Sequence, residues 1–195
     1  MDSGTIEFAV RLHSHLSPGL ALGIRMAEIA YRNLGTNLKG KALIGIAETS
    51  FCVPDALQVV VGTTVGNRNL IVKDYGKLAL SVVRADTMEG YRVSLKKDAV
   101  NNSELMRKFL LREGKLSKEE EKKLAEEFLS IAEHFFEIRK IRLRIPIERR
   151  KERIAECEEC GELQPINYMV EKNGKRVCLA CNGDIYFDEL NKLIV

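Results

Sequence analysis

The stretch LHSHLSPG at residues 12–19, with the helix that follows it, is the segment around which the chain is organised. His13 and His15 are two of its three histidines, and Ser17 and Pro18 are a typical helix N-cap and first helical residue. The preceding residues 5–14 suit a short helix or an extended arm. In an extended arm, side chains 13, 15 and 17 would point the same way because the strand period is two. This face is a candidate metal or catalytic site, and loop histidines without a ligand are an equal alternative.

The composition is that of an ordinary globular protein. A length of 195 residues suits one domain, or one of about 150 residues with a small module, and 45% hydrophobic residues suffice for a core. The net charge of +3 is too small to indicate nucleic acid by itself. No secretory signal or run of roughly 18 apolar residues is evident, so we expect a cytoplasmic protein without a membrane partner.

Apolar spacing predicts an α+β core that ends near residue 97. A helix beginning at Pro18 and capped by Gly35 has its apolar face at Leu20, Ile24, Ala27, Tyr31 and Leu34. Glycines within a helix cost stability, so Gly19 and Gly23 predict close approach of another backbone. The remaining predicted elements are a buried strand at 41–49, a helix at 54–61, a strand at 70–72 and a hairpin of strands 77–84 and 90–96.

A glycine-rich polar loop, residues 62–69, follows the second helix and is in turn followed by Lys73 and Lys77. Backbone N–H groups in such a loop could cradle an anion. The loop matches no nucleotide-binding motif, so a structural turn between helix and strand is the favoured interpretation.

Two helices follow the core. The first is predicted at 103–112, and a capping box at residues 117–120 begins the second. The apolar face of the second is predicted at Leu124, Phe128, Ile131, Phe135 and Ile138. This helical hairpin could pack against a second copy or cover the sheet of its own chain, and the sequence does not discriminate between them.

Residues 139–153 carry eight basic and two acidic residues, a net charge of +6. Ile141, Leu143, Ile145 and Ile147 alternate with charged residues as in a strand, and Pro146 would restrict such a strand to a sheet edge. We expect a linker whose basic residues form a solvated face, with nucleic acid or an acidic partner as the less favoured alternative.

Four of the five cysteines form two C-x-x-C pairs, Cys157/Cys160 and Cys178/Cys181, with seventeen residues between them. This spacing predicts a closed structural zinc site, and an Asn-Gly turn between the pairs predicts a hairpin. A helix predicted at 184–193 completes a treble-clef zinc finger, whose metal would supply the folding energy of so small a module. Redox pairs are disfavoured because the strand-to-helix context of thioredoxin is missing.

The fifth cysteine, Cys52, lies ahead of the short second helix, whose dipole favours a thiolate. Asp55 follows in the first turn of the same helix. If the two helices pack side by side, His13 and His15 could share one ion with Cys52 and Asp55. A buried, inert Cys52 is the alternative.

The stretches HSHLSPGLALGIRMAEIA (13–30) and CVPDALQVVVGTTVGNRNLIVKDYGKLAL (52–80) resemble the FmdE-like family of formylmethanofuran dehydrogenase proteins. The family pattern is H-x-H-x-C-P-G, C-x-x-D-A-x-Q, a Thr/Gly loop and D-x-G-K. The resemblance covers residues 8–100 and the four-cysteine tail that some members carry. It implies an α+β core, a homodimer and association with a molybdenum or tungsten enzyme of one-carbon metabolism.

By position, the resemblance implies metal ligands at His13, His15 and Cys52, with Asp55 and Gln58 as further site residues. Two cysteines of the family pattern are absent: Ser17 stands where the motif has one, and Thr63-Thr64 stands where many members have Gly-Cys-Thr. Because a hydroxyl is a far poorer ligand than a thiolate, we expect either a weak second divalent-metal site with an open water position or no site at all.

The sequence therefore predicts three parts: an FmdE-like α+β core at 1–100, a helical hairpin and basic linker at 101–153, and a treble-clef zinc finger at 154–195. The predicted function is that of a metal-binding accessory protein in one-carbon metabolism, with a protein partner there. The alternative is a nucleic-acid- or protein-binding module that uses the zinc finger and the basic segment. Whether the protein is an enzyme is left open.

Overall fold

The structure is a computed structural model that describes residues 3–144 and 152–188. The chain forms two compact units, Met1–Ile147 and Glu148–Val195. None of the helices in the described ranges combines the length and apolar content needed to cross a bilayer. The larger unit is a mixed α+β structure, as predicted. Its elements are α1 (Ser3–His13), α2 (Pro18–Asn33), β1 (Leu43–Ala47), α3 (Val53–Val61), β2 (Leu70–Val72), β3 (Ala79–Arg84), β4 (Glu89–Leu95), α4 (Glu104–Leu110), α5 (Lys118–Ser130) and β5 (Phe136–Arg142).

The five strands of this unit form one sheet in the order β2-β1-β3-β4-β5. β1 pairs with β2 in parallel and with β3 antiparallel, and β3, β4 and β5 continue antiparallel. The predicted hairpin is confirmed as β3–β4. The fifth strand, β5, shows that two expectations were wrong. Phe135 and Ile138 lie beyond the end of α5 and so are not on its apolar face. Residues 139–142 belong to the sheet rather than to a linker. β5 is an edge strand, as its sequence pattern required.

α2 and α3 lie against each other over the sheet, and small residues let them approach closely. A Cβ added to Gly23 would lie 2.9 Å from the Cβ of Ala56 and 3.4 Å from the Cα of Val53. A Cβ added to Gly19 would lie 3.0 Å from the Cys52 sulphur. The predicted close approach of another backbone is confirmed at Gly23, where α3 makes it, whereas the neighbour of Gly19 is the Cys52 side chain. Apolar side chains of both helices are fully buried in the main core.

α4 and α5 cover the core of their own chain. Leu124, Ala125 and Phe128 of α5 are buried in the same cluster as the apolar face of α2, and Phe109 of α4 meets the Phe128 ring edge-on. The capping box that begins α5 is confirmed: the Ser117 hydroxyl accepts from the Glu120 N–H, and the Glu120 carboxylate accepts from the Ser117 N–H. In their own chain these helices thus pack on α2 rather than directly on the sheet, and packing against a second copy stays a prediction.

The glycine-rich loop is a structural turn. The fully buried Asn69 donates from its side-chain amide to the carbonyls of Gly40 and Leu43, and its side-chain oxygen accepts from the Thr64 N–H. The N–H groups of Asn67 and Arg68 are bonded within the loop to Thr64 and Val65. Because these N–H groups are already satisfied, they are not available to cradle an anion.

The smaller unit consists of two strand pairs. β6 (Ile154–Glu156) pairs with β7 (Leu163–Pro165), and β8 (Met169–Lys172) pairs with β9 (Lys175–Cys178). The predicted Asn-Gly hairpin turn is confirmed, with Asn173 and Gly174 at φ +52° and +77°. The predicted terminal helix is not formed at residues 184–188, and the rest of it lies outside the described residues.

Candidate metal centres

The two C-x-x-C pairs meet in the smaller unit. One ligand atom from each of Cys157, Cys160, Cys178 and Cys181 lies within 4.8 Å of all the others. The sulphurs of Cys160 and Cys178 are 3.9 Å apart. In a tetrahedron with Zn–S bonds of about 2.3 Å, neighbouring sulphurs are about 3.8 Å apart. The cysteines therefore fit a four-thiolate metal ion without rearrangement of the backbone.

Backbone N–H groups donate to two of these sulphurs. The Cys178 N–H donates to the Cys157 sulphur at 3.3 Å, and the Cys181 N–H donates to the Cys178 sulphur at 3.2 Å. Hydrogen bonds from the N–H groups of Cys160, and then of Cys178 and Glu159, lower the pKa of the Cys157 thiol to about 6. The pKa of Cys181 is instead raised, first by its hydrogen bond with the Cys178 sulphur.

The residues predicted for the second site come together at the N-termini of α2 and α3. The lead-in is helical rather than extended: α1 ends at His13, and Ser14 has φ +71°. The expectation that positions 13, 15 and 17 share the face of a strand is therefore wrong. The turn nevertheless places the His13 Nε2 atom 3.3 Å from the Ser17 Oγ atom, and the His13 and His15 rings stack at 5.2 Å between centroids.

Asp55, in the first turn of α3, contacts His13 at the end of α1. Its Oδ2 atom is 2.7 Å from the His13 Nδ1 atom, and its Oδ1 atom accepts from the Gln58 side-chain amide at 3.1 Å. A carboxylate on Nδ1 leaves the Nε2 atom free to accept a proton or bind a metal. In this structure Asp55 therefore orients the His13 imidazole, and its role as a direct ligand stays a prediction.

Ser17 lies between His13 and Cys52. Its hydroxyl oxygen caps α2 by accepting from the Leu20 N–H at 3.1 Å, and it is 3.6 Å from the Cys52 sulphur. Cys52 precedes α3 with φ +45° and ψ −41°, a conformation that residues with a Cβ rarely adopt. Such strain is often found at functional sites, and here it directs the half-buried thiol toward Ser17.

The two candidate centres differ in how complete they are. Among residues 3–144 and 152–188, the four cysteines are the one group of three or more histidine, cysteine and acidic residues with all ligand atoms within 4.8 Å. His13 and Cys52 both contact Ser17, and His15 lies beside His13, but these ligand atoms are not gathered to that degree. Ser17 stands between the His13 imidazole and Cys52. A cysteine at this position could bridge the two, but the serine hydroxyl is a far poorer ligand.

Comparison with known proteins agrees with this architecture. The family model described as "FmdE, Molybdenum formylmethanofuran dehydrogenase operon" matches residues 12–143. The chain belongs to the FmdE family. This FmdE-family chain is similar to the crystal structure of a tungsten formylmethanofuran dehydrogenase FmdE-like protein from Syntrophus aciditrophicus, with a TM-score of 0.75 and 28% identity over 93% of this chain and 92% of the other.

The FmdE-family chain is also 36% identical, over 91% of its length, to a "Probable S-adenosyl-L-methionine-binding protein" of Archaeoglobus fulgidus. The alignment covers 52% of that protein. The chain thus spans about half the length of this curated relative.

Proposed function

We propose that this FmdE-family protein is a metal-binding protein whose smaller unit holds a structural zinc ion on Cys157, Cys160, Cys178 and Cys181. The convergence of the four sulphurs carries this proposal. A closed four-cysteine site has no position for substrate, so this metal would stabilise the fold rather than take part in a reaction. Within residues 152–188 the unit has one hydrophobic cluster of three buried residues, two of them the cysteines Cys157 and Cys178, so it has little other source of stability there.

We further propose a second divalent-metal site at the start of α2 and α3, with His13 and Cys52 as ligands and His15 within reach. The support is the Asp55–His13 contact, which holds the imidazole with Nε2 on the side of Ser17 and Cys52. With fewer side-chain ligands than a closed site, a metal bound here would keep a position for water or a substrate oxygen and would act on it as a Lewis acid.

Elemental analysis of the purified protein tests both sites. We expect up to two metal ions per chain, falling by one in a His13→Ala/Cys52→Ala variant and by one in a Cys160→Ser variant. A matched variant, Ser130→Ala, changes an exposed residue that belongs to neither proposed site and should leave the metal content unchanged. One metal per chain that is insensitive to the His13/Cys52 change would refute the second site and leave the zinc proposal intact.

In the cell, we propose an accessory role in the one-carbon metabolism served by molybdenum or tungsten formylmethanofuran dehydrogenases, with the protein acting as a cytoplasmic homodimer. Membership of the FmdE family supports this role. Co-purification with the components of such an enzyme, and a solution mass of twice 22.0 kDa, would test it. The name of the A. fulgidus relative does not transfer, because about half of that protein has no counterpart in this chain.

A nucleic-acid-binding module remains the alternative function. The described part of the basic segment offers limited support, since Arg139 pairs with Glu137, and Lys140 and Arg142 both pair with Glu89 on the adjacent strand. Binding of RNA or DNA that weakens steeply between low and moderate salt would favour this alternative. Absence of binding at low salt would exclude it.

A further inference from the structure

A cavity of about 780 Å³ lies in the larger unit. It is bounded by the ends of β3, β4 and β5, by residues 75–77 and by the end of α4. Its apolar lining consists of Leu78, Leu95, Val100, Leu110 and Leu111. None of the histidines and cysteines discussed above lines it, and its volume is in the range of small-molecule sites.

A buried ion pair forms the floor of this cavity. Glu48, only 8% exposed, follows β1, and its two carboxylate oxygens accept from Arg92 Nε at 2.5 Å and Nη2 at 2.8 Å. The Arg92 Nη1 atom donates to the Ser94 hydroxyl at 3.1 Å. This two-pronged geometry fixes the guanidinium, so the floor of the cavity is preorganised.

The backbone of Glu48 also fixes residues 75–77 at the edge of the cavity. Its carbonyl oxygen accepts from the N–H groups of Tyr75 and Lys77, both at 3.0 Å. Asp74 accepts from the Gly76 N–H at 3.1 Å, and Gly76 has φ +65°. The turn thereby presents two exposed side chains at the mouth of the cavity, Tyr75 and Lys77. The Lys77 ammonium group lies 5.7 Å from the centroid of the Tyr75 ring.

The lining is strongly positive. It contains five basic residues, Lys77, Arg92, Lys96, Lys97 and Arg139, against Glu48 and Glu137. Arg92 and Arg139 are already paired with those two carboxylates. Within the described ranges, neither Lys77 nor Lys97 lies within salt-bridge distance of a carboxylate. Two ammonium groups are therefore available to an anion from outside the chain.

We propose that this cavity binds a small molecule that joins a phosphate group to a planar ring, as a nucleotide does. The phosphate lies against Lys77 and Lys97, because ammonium groups serve phosphate as mobile point charges. The ring lies on the exposed face of Tyr75, where stacking does not depend on the identity of the ring. The apolar lining excludes water from the remainder of the ligand.

Calorimetric titration of the full-length protein with ATP tests the proposal, with adenosine and inorganic pyrophosphate as partial ligands. We expect saturable binding of ATP that is weaker at higher salt, and weaker binding of each partial ligand. A Lys77→Glu/Lys97→Glu variant should bind ATP at least about tenfold more weakly, and Tyr75→Ala about tenfold more weakly. All three residues are exposed, so these variants should fold normally.

Lys115→Glu/Lys122→Glu is the matched control, because it makes the same charge change at exposed positions outside the cavity. This control should keep most of the ATP affinity. No saturable ATP binding at millimolar concentration would overturn the proposal, as would equal loss of affinity in the control. Adenosine bound as tightly as ATP would overturn the phosphate role, and an unchanged affinity in Tyr75→Ala would overturn the ring role.

Discussion

The Nδ1 atom of His13 lies 2.7 Å from the Oδ2 atom of Asp55, joining the end of α1 to the first turn of α3. The contact gives the imidazole one orientation, in which Nδ1 is the donor to a carboxylate and Nε2 is available on the other side. Gln58 holds the second carboxylate oxygen, so the aspartate is itself fixed. The proposed second metal site depends on this pair more than on any direct ligand from Asp55.

Replacing Asp55 with Asn should weaken metal binding at the second site by about 10- to 100-fold, because the amide cannot stabilise His13 as a carboxylate does. The smaller unit should keep its zinc. Cobalt titration followed by absorbance would measure the affinity. Asp98→Asn, a matched change at an exposed residue, should have no effect. Equal affinities in the Asp55 variant and the native protein would show that this contact serves only the fold.

Replacing Ser17 with Cys should strengthen the second site. The new sulphur would stand between the His13 Nε2 atom and the Cys52 sulphur, at the position from which Ser17 Oγ contacts both. Loss of the N-cap should cost about 1 kcal/mol of stability. Cobalt bound by this variant should show stronger thiolate charge-transfer absorbance than cobalt bound by the native protein. Ser130→Cys adds a thiol far from the site, and a similar gain there would argue against the proposal.

Gly23→Ala should destabilise the protein although alanine is the better helix former. The gain in helix propensity is about 1 kcal/mol, whereas forcing a methyl group against Ala56 costs about 1–3 kcal/mol. Urea unfolding should therefore show a net loss. In the Gly23→Ala/Ala56→Gly variant, the methyl group moves from one helix to the other. The double variant should be more stable than the sum of the two single changes predicts, and strict additivity would contradict the close contact.

Removing zinc with a chelator should unfold the smaller unit and leave the larger one folded. In ¹H–¹⁵N spectra, amides of the β8–β9 hairpin should lose their dispersion, while those of α2 and the five-stranded sheet keep theirs. Readdition of zinc should restore the spectrum. His13→Ala lies outside this unit and should leave the hairpin signals in place. A hairpin that stays ordered without metal would contradict a structural role for the zinc.

The capping box of α5 should make stability depend on pH in the acid range. The Ser117 N–H, and then Lys108, lower the pKa of Glu120 below its usual 4.5. A carboxylate whose pKa is lowered by folding contributes stability above its unfolded pKa and loses that contribution as the pH falls through the folded value. Glu120→Gln should therefore lower the melting temperature at neutral pH, with the difference shrinking below pH 4.5.

Glu126→Gln in the same helix is the comparison for this measurement. Glu126 is exposed and lies beyond the first turn of α5, so its replacement should cause a smaller change in melting temperature with little dependence on pH. Similar pH profiles for the two variants would mean that the capping carboxylate has no special contribution.

Much of the fold follows from local chemistry. β2 and the β3–β4 hairpin were predictable because short apolar runs are separated by turn residues, and α2 was predictable because its cap, proline and apolar spacing agree. β5 was not. Phe135 and Ile138 continue the helical spacing of α5, and neither glycine nor proline marks its end at Ser130. Pairing with β4 decides the conformation of this segment, and that pairing is a tertiary interaction.

The candidate sites divide in the same way. Four cysteines in two C-x-x-C pairs predict their own convergence, because each knuckle is local and the Asn-Gly hairpin brings the pairs together. The role of Asp55 could not be predicted, because its contact with His13 depends on how the end of α1 meets the first turn of α3. Nothing in the sequence indicated the cavity at Glu48, because its basic residues come from separate segments of the chain.

The Glu48–Arg92 pair also carries a consequence for evolution. Loss of Arg92 would leave the buried Glu48 carboxylate without its two-pronged partner, a change that is strongly destabilising. Single substitutions at these two positions are therefore expected to be purged, and divergence should occur by paired replacement. Positions 48 and 92 should accordingly covary among FmdE-family members, although 44 residues separate them in the chain.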